Sequence, residues 1–219
     1  MADCEGTPAG GEAKRDSLEH PDEKQPDNLD PAEVEALLAR PNVRCPTGLR
    51  NRCMLELMHK SGCRISEVTA VRRRDIKWAE HCLVLPRTKG GKTRTVPLLD
   101  DTLRWLARWD ECRRMDARLG GEFFFCTFRK TAVDHSYMRK LVKRLARKAQ
   151  IDGIERAHPH ALRHTCALTA LDKGVNIREV QEMLGHKNVS TTQIYTRIRP
   201  KDLVEKYRRV MEGAPEPKE

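Results

Sequence analysis

Long apolar runs are missing from this 219-residue sequence. None approaches the roughly 18 residues that a membrane-spanning helix needs, which excludes a protein that crosses a bilayer by helices. No charged n-region followed by an apolar h-region opens the chain, so a secretory signal is not expected. Aromatic residues make up 5%, apolar residues 38% and charged residues 34%, with a mean hydropathy of -0.69. The core must be economical and the surface dense in charge. C-x-x-C pairs are missing too: the eight cysteines stand at 4, 45, 53, 63, 82, 112, 126 and 166. A disulfide framework or a structural zinc site is therefore not expected. The cysteines read as reduced, mostly buried small hydrophobes of a cytoplasmic protein.

What the sequence does have is positive charge, unevenly spread. The formal net charge is +10. Residues 1–30 hold nine acidic and three basic side chains, a net of -6, and the other 189 residues hold 39 basic and 23 acidic, a net of +16. A compact domain of that charge repels itself and gains most from a polyanionic partner, with nucleic acid the first candidate. A basic surface kept for solubility is the other reading of charge alone.

Residues 1–29 have no aromatic residue and almost no apolar one. They cannot offset the entropy of ordering and are expected to form a disordered acidic tail. One domain is expected over 30–212, followed by a disordered C-terminal tail over 213–219. Asp30-Pro31 reads as an N-cap and a first-turn proline opening a helix over 31–39. A second helix is predicted over 46–60, ended by Gly62, and a short third one around Ser66. The period then changes. Cys82–Leu85 and Thr95–Leu98 are strand-like, and the Gly90-Gly91 signal between them predicts a β-hairpin with a cationic tip. Helices are predicted over about 100–118 and 134–149, with Phe123, Phe124 and Phe125 as a short buried strand or core plug between them. The last third reads as helical: Pro159 to Asp172, Asn176 to Gly185, Ser190 to Thr196, and about 200–211. The fold class is mainly α with one small antiparallel β-sheet (α+β).

Several side chains invite a chemical reading. Arg64 lies at a joint between two helices, where a long side chain can project inward; an ion pair with Glu67 serves equally well as its role. His160 and Arg163 are three residues apart, on one face of the first turn of a helix. The positive end of the helix dipole points to the same place and suits a phosphate. An ordinary amphipathic helix with a capping histidine has the same pattern. His186 follows Gly185 in a loop, and Tyr195 comes nine residues later. Taken singly, Tyr195 reads as core and Lys89 as a solvated turn lysine.

In sequence order, however, Arg64, Lys89, His160, Arg163, His186 and Tyr195 resemble the catalytic set of the tyrosine recombinase (phage integrase) family. The strings that carry the resemblance are SGCRISEV, TKGGKTRTVPL, HPHALRHTCALTAL and LGHKNVSTTQIYTR. The last two are closest to the Xer-type branch. The resemblance covers about 31–211 and implies the tyrosine recombinase catalytic-domain fold. It also implies cleavage of one DNA strand by a tyrosine, leaving a 3′-phosphotyrosyl link and a free 5′-hydroxyl, with no ATP, cofactor or metal. Tyr195 corresponds to the nucleophile and His160 to the acceptor of its proton. A free phenol has a pKa near ~10 and needs such help to attack at neutral pH. Arg64 and Arg163 correspond to the clamp on the non-bridging oxygens, where two planar forks stabilise the added charge of the transition state. His186 corresponds to a further phosphate donor, Lys89 to the acid that protonates the leaving 5′-oxygen, and Glu67 to a supporting carboxylate.

Lys92, Arg94, Arg129, Lys130, Arg139, Lys140, Lys143 and Arg144 form the surplus basic population. They are expected to contact phosphates without reading sequence, a solvated helix face being the alternative. The implied partner is double-stranded DNA, with a homo-tetramer on synapsed DNA, a monomer in free solution, and an accessory DNA-binding protein as a further partner. Typical members carry a core-binding domain before the catalytic one, and the sequence is expected to lack it. The final helix, with Leu203, Val204, Tyr207 and Val210, is amphipathic; it can dock on a neighbouring protomer or on its own domain. Two other functions compete with a recombinase or integrase: a type IB topoisomerase-like relaxation of DNA, and a non-catalytic DNA-binding regulator that kept the fold.

Overall fold

A computed structural model describes residues 29–85, 93–185 and 200–213. The chain starts as its capping signals predict. Helix α1 (Pro31–Leu38) has Asp30 as N-cap, Pro31 in its first turn, and the Glu33 carboxylate accepting the Asp30 amide at 2.8 Å. Leu29 and Val34 stand at the two positions of a hydrophobic staple, and both are buried in one core. The Leu29 carbonyl also accepts the Thr165 hydroxyl at 2.8 Å. Leu29, assigned above to the acidic tail, therefore belongs to the folded domain. The rest of that tail, 1–28, lies outside the described residues, as does 214–219.

Helix α2 (Pro46–Lys60) is the central strut, buried over most of its length. It packs against α4 (Asp100–Met115) and α6 (Pro159–Asp172). Such a helix buries polar side chains as well, and they must be paired. Arg50 donates to the Cys126 carbonyl at 3.0 Å, Asn51 to the Tyr137 hydroxyl at 2.8 Å, and Arg52 forms an ion pair with Glu56. Gly62 ends this region in the left-handed conformation, φ +60°. A Cβ there would lie 2.4 Å from the Leu184 side chain. Glycine is thus required both by conformation and by the close approach of a second helix.

Helix α3 (Ile65–Ala70) leads into a three-stranded antiparallel sheet: β1 (Ile76–Lys77), β2 (Cys82–Leu85) and β3 (Arg94–Pro97), in that order across the sheet. β2 and β3 pair Leu83 with Val96 and Leu85 with Arg94. β3 begins and ends one residue before the predicted span, and Leu98 sits just beyond it, its amide donating to the His81 carbonyl at 2.8 Å. The tip of the hairpin, 86–92, lies outside the described residues.

Helix α4 stops at Met115, short of the predicted 118. Phe124 and Phe125 are fully buried without a strand of their own: the Phe124 amide donates to the Val71 carbonyl at 2.7 Å, and Trp109 donates to the Phe124 carbonyl at 2.9 Å. They are a core plug. Helix α5 (His135–Lys148) is capped by Asp134, which accepts the Ser136 and Tyr137 amides. It buries Met138, Leu141, Val142, Leu145 and Ala146 on one side. Helix α7 (Ile177–Leu184) is capped by Asn176 and ends at Gly185, φ +64°. The helix predicted from Ser190 to Thr196 lies outside the described residues. The final helix α8 (Pro200–Glu212) packs on its own domain. Val204 and Tyr207 are buried, and the Tyr207 hydroxyl donates to the Lys60 carbonyl at 2.8 Å. The side chain of Leu203 lies outside the described residues.

Six of the seven described cysteines have buried or half-buried side chains, and Cys45 is exposed. Among the described residues no helix is long and apolar enough to cross a membrane.

Candidate active site

Three arginines from distant parts of the chain converge where α2 ends, α3 begins and α7 ends. Arg64, at the N-cap of α3, is about one-third exposed. It donates Nη1 to Glu67 Oε1 at 3.0 Å and Nη2 to the Gly185 carbonyl at 3.0 Å. The Arg64–Glu67 pair that competed with a chemical role is therefore present, and Arg64 reaches beyond it. Arg163, on α6, is 7% exposed. It donates to the Gly62 carbonyl and, at 2.5 Å, to the Leu184 carbonyl. Burial, aided by the neighbouring Arg64 and Arg94 cations, pushes its guanidinium down to about 10.

The third arginine is Arg94, the first residue of β3. Its charge alone predicts a place among the surface cations that meet phosphates. Its side chain is instead 13% exposed and forks onto Glu67, Nη1 to Oε1 at 2.6 Å and Nη2 to Oε2 at 2.8 Å. Both outer nitrogens face inward, so Arg94 belongs to the cluster. The signal was in the strand period: Arg94 lies two residues before Val96, which is fully buried, and residues two apart share a face.

Glu67, itself 7% exposed, is the carboxylate that pairs with this cluster. Three guanidinium groups around one carboxylate leave a net charge of +2, concentrated and partly desolvated, which is the make-up of an anion site. The α7 C-terminus completes it: the Leu184 and Gly185 carbonyls hold the inner arms of Arg163 and Arg64. Gly185 is favoured by its left-handed backbone, φ +64°, and a Cβ there would also lie 2.8 Å from Arg94 Nη1 and crowd the fork.

His160 is exposed near the start of α6 and lies on a cleft of about 480 Å³ between α6 and α7. Arg163, His164 and Leu184 line the same cleft. The helix cap is His158, whose Nδ1 accepts the Ala161 amide at 3.1 Å, so His160 is not needed for capping. The structure thus brings Arg64, Glu67 and Arg163 together and sets His160 and Arg163 on one cleft. Lys89, His186 and Tyr195 lie outside the described residues. Among the described residues no group of three or more histidine, cysteine or carboxylate side chains is arranged to hold a metal ion. Two cysteine thiols border the cluster. Burial pushes Cys63 up to about 12 and Cys166 up to about 11, so neither is a thiolate at neutral pH.

The remaining candidate cations are elsewhere. Arg129 and Lys130 are exposed in the turn between Thr127 and Thr131. Arg139, Lys140, Lys143 and Arg144 are exposed on α5, joined there by two cations not among those expected, Arg147 and Lys148. Among the described residues no carboxylate pairs with any of these six α5 side chains, and α5 itself contains no acidic residue. Lys92 lies outside the described residues.

A mainly helical domain with a three-stranded antiparallel sheet and a partly buried arginine cluster defines the class of fold. The chain belongs to the phage integrase family, whose model matches residues 27–202. It is 40% identical over 176 residues to tyrosine recombinase XerD of Ralstonia nicotianae, covering 79% of this chain and 56% of that protein. It is 37% identical over 183 residues to tyrosine recombinase XerC of Vibrio parahaemolyticus, covering 83% and 57%. The chain therefore spans little more than half the length of these relatives. Among solved structures, the XerA recombinase superposes with a TM-score of 0.66 at 26% identity, covering 86% of this chain and 65% of that one. The XerH site-specific recombinase bound to its difH substrate superposes with a TM-score of 0.65 at 26% identity, covering 75% and 48%. The fold is that of the tyrosine recombinase catalytic domain.

Proposed function

We propose that this chain breaks and rejoins DNA strands as a site-specific recombinase, through a 3′-phosphotyrosyl intermediate. The observation that carries the reading is the cluster of Arg64, Arg94 and Arg163 around the single carboxylate of Glu67. Its surplus positive charge, held in fixed and partly desolvated guanidinium groups, suits one phosphodiester. Names among the relatives support the reading: XerD and XerC are called tyrosine recombinases, and XerH was solved with its difH substrate.

Arg64 and Arg163 bind the non-bridging oxygens of the scissile phosphate. Tyr195 Oη attacks phosphorus as its proton passes to His160. The bond from phosphorus to the 5′-oxygen breaks, and Lys89 protonates the leaving oxygen. His186 donates a further hydrogen bond to the phosphate. The guanidinium groups are already desolvated and oriented, so little reorganisation is needed as charge builds up in the transition state. Rejoining is the reverse, with a 5′-hydroxyl attacking the phosphotyrosine. The exposed cations Arg129, Lys130, Arg139, Lys140, Lys143 and Arg144, with Lys92, hold the duplex by its phosphates. Assembly of four copies on synapsed DNA, and help from an accessory DNA-binding protein, belong to the same proposal.

The test is a nicked suicide duplex, whose cleaved fragment diffuses away and traps the intermediate. Wild type should give a covalent protein–DNA band. Tyr195→Phe should give none while still binding DNA, because the phosphate clamp is intact. DNA binding with no covalent band on any duplex would favour the non-catalytic regulator.

A further inference from the structure

We infer that Arg94 is a positioning residue: it takes the two-bond fork on Glu67, so that Arg64 keeps only one side-chain bond to that carboxylate and can turn to the scissile phosphate. This rests on the recombinase reading above for what the phosphate is, but its geometry stands by itself.

An ionised carboxylate has about four lone-pair sites. At Glu67 four donors fill them. Oε1 accepts Arg64 Nη1 at 3.0 Å and Arg94 Nη1 at 2.6 Å. Oε2 accepts the Arg64 backbone amide at 2.7 Å and Arg94 Nη2 at 2.8 Å. The two side chains share the carboxylate unequally. Arg94 takes the parallel two-bond fork, the stronger geometry, and leaves Arg64 a single side-chain bond. The other arm of Arg64 is thereby turned away, to the Gly185 carbonyl.

Without Arg94, one acceptor site on each Glu67 oxygen would fall open beside the Arg64 guanidinium. A nearly buried carboxylate and an arginine three residues apart would then close into their own fork. Arg64 would be withdrawn from the phosphate, and the net charge of the cluster would fall from +2 to +1. The fold builds Arg94 into this place. It is the entry residue of β3, and Gly185 lets it lie against the α7 C-terminus, where a Cβ would come within 2.8 Å of its Nη1. The side-chain groups that face the Glu67 carboxylate are Arg64 on its own helix and Arg94 from the sheet, with the Arg163 cation and the Cys63 thiol close enough to interact.

The test uses the full chain and a suicide duplex, reading the first-order rate of covalent adduct formation at saturating DNA apart from the dissociation constant. Arg94→Met keeps the length and removes the fork. It should slow the rate by about 100-fold, the usual cost of one lost transition-state donor, and change the dissociation constant by no more than about 3-fold. Arg94→Lys keeps the charge but not the fork, and should slow the rate by about 10-fold. Adding Glu67→Gln to Arg94→Met removes the charge that captures Arg64, and should recover about 10-fold of the loss. A purely structural Arg94 would lower the melting temperature, leave the saturated rate unchanged, and gain nothing from Glu67→Gln. Wild-type rates in both single variants, or no recovery in a folded double variant, overturn the inference.

A second readout needs no cleavage. The Arg64 side-chain Nε–H resonance, assigned through Arg64→Lys, should shift on titration with inorganic phosphate in wild type and should not in Arg94→Met. Equal shifts in both would overturn the inference even if the wild type forms no covalent adduct. That last result would sink the recombinase reading alone.

Discussion

Two cationic regions of this domain use the same residue types for opposite purposes. The cluster at the ends of α2 and α7 holds three arginines, each with an assigned partner, around one nearly buried carboxylate. The outer face of α5 holds six arginines and lysines in solvent, with no carboxylate paired to them among the described residues. Partial burial makes the first region costly to assemble and specific in geometry. Solvation makes the second easy to assemble and indifferent to geometry, since long flexible cations in water gain little from any one arrangement. The first suits one phosphate held in place. The second suits a row of phosphates whose exact positions do not matter.

The largest expected effect breaks the first region. Arg163→Ala removes the most buried of the three cations and leaves the Gly62 and Leu184 carbonyls without their donor. Covalent adduct formation should fall by about 100- to 1000-fold. The domain should also lose on the order of 1–3 kcal/mol per unpaired carbonyl oxygen, read by chemical denaturation. A variant that cleaves normally would show that the cluster is a structural brace. A smaller effect marks the second region. Replacing Arg139, Lys140, Lys143 and Arg144 together by alanine should weaken duplex binding. It should also flatten the slope of log affinity against log salt by about 0.9 for each phosphate that these side chains neutralise. An unchanged slope would mean that this face of α5 meets solvent and not DNA. The smallest effect separates the helix from its charges. Asp134→Ala removes the cap that accepts two amides of the first α5 turn, and should cost about 1 kcal/mol in thermal stability with no change in charge on the outer face. Loss of salt sensitivity in that variant would show that the α5 charges act only when the helix start is held.

Much of this architecture is legible in the residues because the signals are local. Asp30-Pro31, Asn176 and Gly185 mark helix ends by mechanisms that need no distant partner, and each lies where the helix starts or stops. β1 is invisible in the sequence because two residues carry no period. Helix α4 ends early, at Met115, because Asp116 leaves the helical region there with ψ 107°. Leu29 reads as tail because its neighbours are polar; its burial depends on a staple with Val34 and on Thr165, 136 residues away in the chain. The candidate site divides in the same way. Arg64, Glu67 and Arg163 stand out because they sit in strings resembling a known family. Arg94 stands in such a string as well; its charge suggests the surface, the strand period puts it on the face of buried Val96, and its fork onto Glu67 follows only from the tertiary contact.

The sequence by itself determined the alternation of helix and hairpin, the charge of the domain and the residue types available for phosphate chemistry. Those follow from local backbone preferences and from composition. Tertiary structure decided which arginines share a carboxylate, which carbonyls hold their inner arms, and that α8 closes onto its own domain. Those depend on groups brought within hydrogen-bonding distance from parts of the chain that one-dimensional spacing does not relate. Electrostatic strength there is set by burial, and burial is a property of the packed whole.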